Sequence, residues 1–156
     1  MLKGIDQRLT AEILHMLMSM GHGDSVLLCD VNHPAAEIAR HTVAGKVLHM
    51  AGSDLPAAIG ALLSLMPLDT FIPEPVQRMK VVGDPEAQLP LFSEIQSVVN
   101  EIEGRDVGMG ALDRFEFYAA ARNCFGVIRT SDSGPYGCFI LTKGVINLPP
   151  VISVNL

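Results

Sequence analysis

The chain has 156 residues, 49% of them apolar and only 5% aromatic with no Trp, so a core must rest on Leu, Val, Ile, Ala and Met. The formal charge is -6 and the basic residues are scattered, which argues against a nucleic-acid backbone or an anionic membrane surface as partner. Three cysteines without metal-ligand spacing, no secretory leader pattern and no run of about 18 apolar residues point to a reducing, cytoplasmic setting.

The first element is a helix over residues 10–20. Leu9, Ile13, Met16 or Leu17, and Met20 form one stripe at helical spacing, Thr10 caps it, Glu12 suits its first turn, and Gly21 stops it. After a tight His22-Gly23-Asp24 loop, residues 25–29 make a short apolar run that reads as a strand buried on both faces. Asp30 then stands at that strand's C-terminal end, where open α/β sheets bind ligands.

Residues 31–46 are polar and broken at His33-Pro34; residues 47–50 read as a second strand. Ser53 or Asp54 followed by Pro56 starts a helix carrying Leu55, Ile59, Leu62, Leu63 and Met66, and Pro67 ends it. Residues 69–75 form a loop with two prolines, and 76–82 a strand. A helix follows over 89–101, then a loop or short edge strand over 104–110.

Asp113 caps a helix through Arg122, with Glu116 completing a capping box. Strands at 125–130 and 138–142 flank a Gly/Pro loop, and a Pro-rich apolar tail closes the chain. Four helices alternating with five or six strands make an α/β layered domain spanning 1–156, with no linker and no internal repeat.

Three places combine reactive side chains with unusual backbone. His22 lies between two glycines, and an imidazole exchanges a proton near neutrality; an ordinary loop histidine is the plain alternative. Asp30 either caps the next element or binds a polar ligand, with His33 a possible companion. Arg114 and Tyr118 lie four apart on one helix face, and Tyr136 is placed to line a pocket. Cys29 reads as a core residue. No dinucleotide or phosphate-loop fingerprint occurs, and His22, Asp24, Asp30 and His33 match no metal motif.

The segment Gly21-His22-Gly23-Asp24, followed six residues later by Asp30, resembles the N-terminal signature of the RbsD/FucU family. Arg114-Phe115-Glu116-Phe117-Tyr118, Tyr136-Gly137 and Lys143-Gly144-Val145 resemble the C-terminal half of its fucose mutarotase branch. The resemblance implies a three-layer α/β/α domain with a mixed sheet of about six strands. It implies interconversion of the anomers of L-fucose or a related pyranose, with no cofactor and no metal, in a homo-oligomeric ring such as a decamer.

By the same resemblance His22 is the catalytic histidine, with Asp30 and Tyr118 as further catalytic candidates. Asp30, Arg114, Tyr136, Gly137 and Cys138 would contact the sugar. Cys138 departs from the family's Asn, which exchanges an amide for a weak thiol donor. Three alternatives stand beside this expectation: a non-catalytic sugar-binding or transport-associated protein, a lyase or isomerase acting on an open-chain sugar with a metal or a base beside a carbon-bound proton, and a structural oligomer.

Overall fold

The computed structural model describes residues 2–146, so the apolar tail lies outside the described residues. The apolar runs become β1 (Ser25–Cys29), β2 (Val47–Met50), β3 (Val76–Met79), β4 (Met109–Leu112), β5 (Gly126–Thr130) and β6 (Cys138–Thr142). The amphipathic stretches become α1 (Ala11–Ser19), α2 (Ala35–Ala39), α3 (Leu55–Leu63), α4 (Pro90–Glu103) and α5 (Arg114–Arg122).

One sheet runs in the order β2-β5-β1-β6-β3-β4. β1, β5 and β2 pair in parallel, as do β3 and β4, while β6 runs antiparallel between β1 and β3. The sheet is therefore mixed, with helices on both faces. Alternate residues of each strand face opposite layers. Val26, Leu28, Ile128, Phe139 and Leu141 pack in the cluster that includes buried residues of α1, α3 and α4. Leu27, Cys29, Val127, Cys138 and Ile140 pack with Ile38 of α2 and Phe117 of α5. Each fully buried aliphatic or Phe side chain contributes roughly 1.5–3 kcal/mol.

The caps follow local chemistry. Thr10 Oγ1 accepts from the Ile13 N–H at 3.3 Å, Asp54 Oδ1 from Ala57 at 2.9 Å, and Glu116 Oε2 from Asp113 at 3.2 Å. Gly104 ends α4 in the left-handed region at φ 65°.

The structure corrects several expectations. α1 is closed by Met20 turning extended (φ -70°, ψ 137°), and the left-handed residue in that loop is Gly23, not Gly21. The Lys143 ammonium donates to the Leu17 and Met20 carbonyls at 2.8 and 2.6 Å, so a cation supplies the cap from the far end of the chain. The polar stretch 31–46 contains α2, too short for a readable period, formed because Ala35, Ile38 and Ala39 bury against the sheet. β3 ends at Met79, and the edge strand β4 runs on to Leu112.

Candidate active site

Asp30 leaves β1 beside the start of β6, because Cys29 and Cys138 are antiparallel partners. Its N–H donates to the Gly137 carbonyl at 2.7 Å. Its carboxylate accepts three backbone N–H groups: Oδ1 from Asn32 (2.7 Å) and His33 (2.9 Å), Oδ2 from Gly137 (3.0 Å). A carboxylate has about four acceptor positions, so one on Oδ2 stays open to a ligand hydroxyl. Burial pushes the Asp30 pKa up, and the three N–H donors pull against that shift. Gly137 is needed for this approach: a Cβ there would stand 2.7 Å from Leu55 Cδ1 and 3.1 Å from Asp30 Oδ2.

Around Asp30 lies a cleft of about 260 Å³, walled by the β1–α2 loop, the end of β3, the first turns of α5 and the start of β6. It collects Asp30, His33, Arg114, Tyr118, Tyr136 and Cys138. The i, i+4 spacing brings Arg114 and Tyr118 to the same cleft, with Arg114 exposed at its rim. Tyr136 holds φ 58°, a strained backbone for a non-glycine residue, and its hydroxyl accepts from the Val82 N–H at 2.9 Å, pinning the 80–83 loop. Cys138 is buried on the floor, and desolvation drives its thiol pKa up, with the charge of Asp30 adding to the effect. It stays a neutral thiol.

The structure gives His33 a defined place. Its ring meets Phe117 edge-on at 6.0 Å and Tyr118 at 5.6 Å. Burial lowers its pKa from 6.5 to about 4. The unfolded chain therefore binds the extra proton first as pH falls. Stability present above pH 6.5 is lost as pH drops toward 4. The loss is about 2–3 kcal/mol. Urea midpoints measured at about pH 7 and about pH 4.5 are expected to converge for His33→Phe relative to the parent.

His22 is not in this cleft. It precedes β1 while Asp30 follows it, so the two sit at opposite ends of a five-residue strand, roughly 15 Å or more apart. At its own end His22 Nε2 lies 3.1 Å from Asp69 Oδ1, and its ring packs 5.1 Å from Phe71. Asp69 is 3% exposed; the Phe71 N–H, which donates to Oδ1 at 3.0 Å, and the His22 pairing hold its carboxyl below the usual range. Asp69 carried no signal in the sequence, since it stands in a loop with no motif around it. Its partner is 47 residues away and is brought in by the β1–β6 pairing, through Asp69 N–H to Thr142 O and Gly23 N–H to Lys143 O.

A larger groove of about 690 Å³ lies along α1 and β2, but its charged pair Glu12–Lys46 is mutually satisfied and its lining is mostly apolar. Among the described residues no group of three or more His, Cys, Asp or Glu is arranged to hold a metal ion, and no helix is long and apolar enough to cross a membrane.

A model of the RbsD / FucU transport protein family matches residues 3–146. The chain belongs to the RbsD/FucU family. Among its relatives, the fucose mutarotase of Homo sapiens is 36% identical over 154 residues, covering 97% of this chain and 98% of that one. The crystal structure of protein Atu2016 superposes with a TM-score of 0.91 at 44% identity, covering 94% of this chain and 97% of that one. The fucose mutarotase of Streptococcus pneumoniae in complex with L-fucose superposes at 0.83 with 28% identity, covering 94% and 100%. The family's fold is the three-layer α/β/α arrangement with a mixed six-stranded sheet found here.

Proposed function

We propose that this chain is a cofactor-independent mutarotase that interconverts the α and β anomers of L-fucose or a related pyranose, residues 1–156 acting as one domain. The observation that carries it is the cleft itself. In a family whose relatives include fucose mutarotases, Asp30, Arg114, Tyr118, Tyr136 and Cys138 converge on one space that suits a single sugar ring.

Ring opening needs a proton delivered to the ring oxygen and one removed from the anomeric hydroxyl as the C1–O5 bond breaks. Rotation about C1–C2 and reclosure reverse both transfers, so atoms and electrons balance without a redox step. In this scheme Arg114 donates to sugar hydroxyls, Asp30 Oδ2 accepts from one, and Tyr136 and Gly137 shape the wall. Tyr118 exchanges the anomeric proton. His22, oriented by Asp69, serves the ring oxygen.

Because His22 and the cleft lie at opposite ends of β1, the site is completed between copies. The His22–Asp69 end of one chain docks on the cleft end of the next, a head-to-tail contact of the kind that closes rings, a decamer of stacked rings included. Both ends carry exposed apolar residues: Phe71 (72%) and Ile72 (40%) beside His22, Val82 (57%) and Phe115 (79%) beside the cleft.

The test is saturation-transfer NMR of anomeric exchange with L-fucose, D-ribose and D-galactose. The expected result is accelerated exchange of L-fucose that disappears in His22→Ala, a loss of at least about 100-fold for a general acid. The family's transport description favours a second reading, sugar binding without catalysis. Binding with no accelerated exchange would establish that reading instead.

A further inference from the structure

The cleft contains a polar group that the scheme above leaves unused. His33 lines the cleft, yet its Nε2 is sealed from solvent and has no hydrogen-bond partner among the described residues. A sealed N–H without an acceptor is rarer and costlier than a sealed lone pair. The neutral ring therefore keeps its proton on Nδ1 and leaves the sealed Nε2 as the bare lone pair.

The ring has little freedom to turn elsewhere. Phe117 and Tyr118 hold it from the α5 side, and the His33 backbone N–H is anchored to Asp30 Oδ1 at 2.9 Å. A rigid donor in a wall that also holds Asp30 and Tyr118 fits one purpose, to read a ligand oxygen at a set position.

We infer that His33 is a specificity-determining residue of the sugar site, its Nδ1–H donating to one hydroxyl oxygen of the bound monosaccharide. This deepens the mutarotase reading and rests on it. Burial keeps the imidazole neutral throughout the physiological range, so the residue selects and positions sugar and moves no proton. It also accounts for how the site works with Cys138: the donor that a thiol supplies poorly is supplied from the β1–α2 loop at the same end of the sheet, by an imidazole.

The experiment compares the parent with His33→Phe, His33→Asn and His33→Gln, all as the assembled full-length protein. L-fucose binding is read by calorimetry and exchange at saturating sugar by NMR. Phe keeps the packing and removes both nitrogens, Asn places an amide N–H near Nδ1, and Gln places one near Nε2. Expected is a loss of L-fucose affinity of about three- to tenfold in His33→Phe, recovered in His33→Asn and not in His33→Gln. The exchange rate at saturation stays within about twofold of the parent, the mark of a binding contact.

Among the monodeoxy analogues of L-fucose, one should bind the parent and His33→Phe equally, because the contact is already gone. On the unmodified parent, the His33 imidazole ¹⁵N resonances should move when L-fucose is added. Unchanged affinity in His33→Phe together with unmoved ¹⁵N resonances in a parent that binds L-fucose overturns this inference alone. Rescue by Gln and not Asn overturns it as well. A parent that neither binds nor exchanges any of the sugars overturns the mutarotase reading, and this inference with it.

Discussion

A mixture of His22→Ala and Arg114→Ala chains, each inactive alone, is expected to regain about a quarter of the parent's exchange rate after joint unfolding and reassembly. The expectation follows from one strand. β1 places His22 at one end of the sheet and the Asp30–Arg114–Tyr118 cleft at the other, so under the proposed scheme no single chain brings the imidazole to a sugar in that cleft. If each site takes His22 from one copy and the cleft from its neighbour, random mixing pairs an intact His22 with an intact cleft in a quarter of the sites. A site contained in one chain would give no recovery at all, since every chain in the mixture carries a defect. Anomeric exchange of L-fucose, read on the mixture and on each variant reassembled alone, separates the two outcomes.

Asp30→Ala is expected to lower the unfolding free energy by about 3 kcal/mol and to abolish sugar binding. The side chain gathers the Asn32, His33 and Gly137 N–H groups at 2.7, 2.9 and 3.0 Å, and the Asp30 side chain is itself buried. Removing it strands several donors at a depth where water replaces the lost acceptor poorly. Asp30→Asn should not rescue. Its carbonyl oxygen satisfies Asn32 and His33, but its NH₂ then faces the Gly137 N–H, donor against donor, where Gly137 is already crowded by Leu55 and Asp30. Urea midpoints for the parent and both variants check this. A parental midpoint in Asp30→Ala, with only binding lost, would show that Asp30 serves the ligand and not the loop.

Much of the chain was legible because the deciding interactions are local. The apolar runs 25–29 and 138–142 are strands in the structure, and the cap residues Thr10, Asp54 and Asp113 act within three residues of themselves. Arg114 and Tyr118 share a face by helical period alone, and the structure brings both to the cleft with Asp30 and Tyr136. The exceptions are elements whose reason to exist lies elsewhere in the fold. α2 has five residues and is held by the sheet it covers; Gly21 does not stop α1, which is capped by Lys143 from more than 120 residues away.

The site divides the same way. By itself the sequence determined which residue types are present and how neighbours within a turn or a strand are disposed. The strand read over residues 25–29 already put His22 and Asp30 at opposite ends, since extended chain carries residues apart at about 3.3 Å each, but it could not show what either one meets there. Only the tertiary structure paired His22 with Asp69, brought Gly137 against Asp30, and sealed one nitrogen of His33. Those contacts join residues 47 and 107 positions apart, or depend on burial under another element, and strand pairing rather than local propensity creates them.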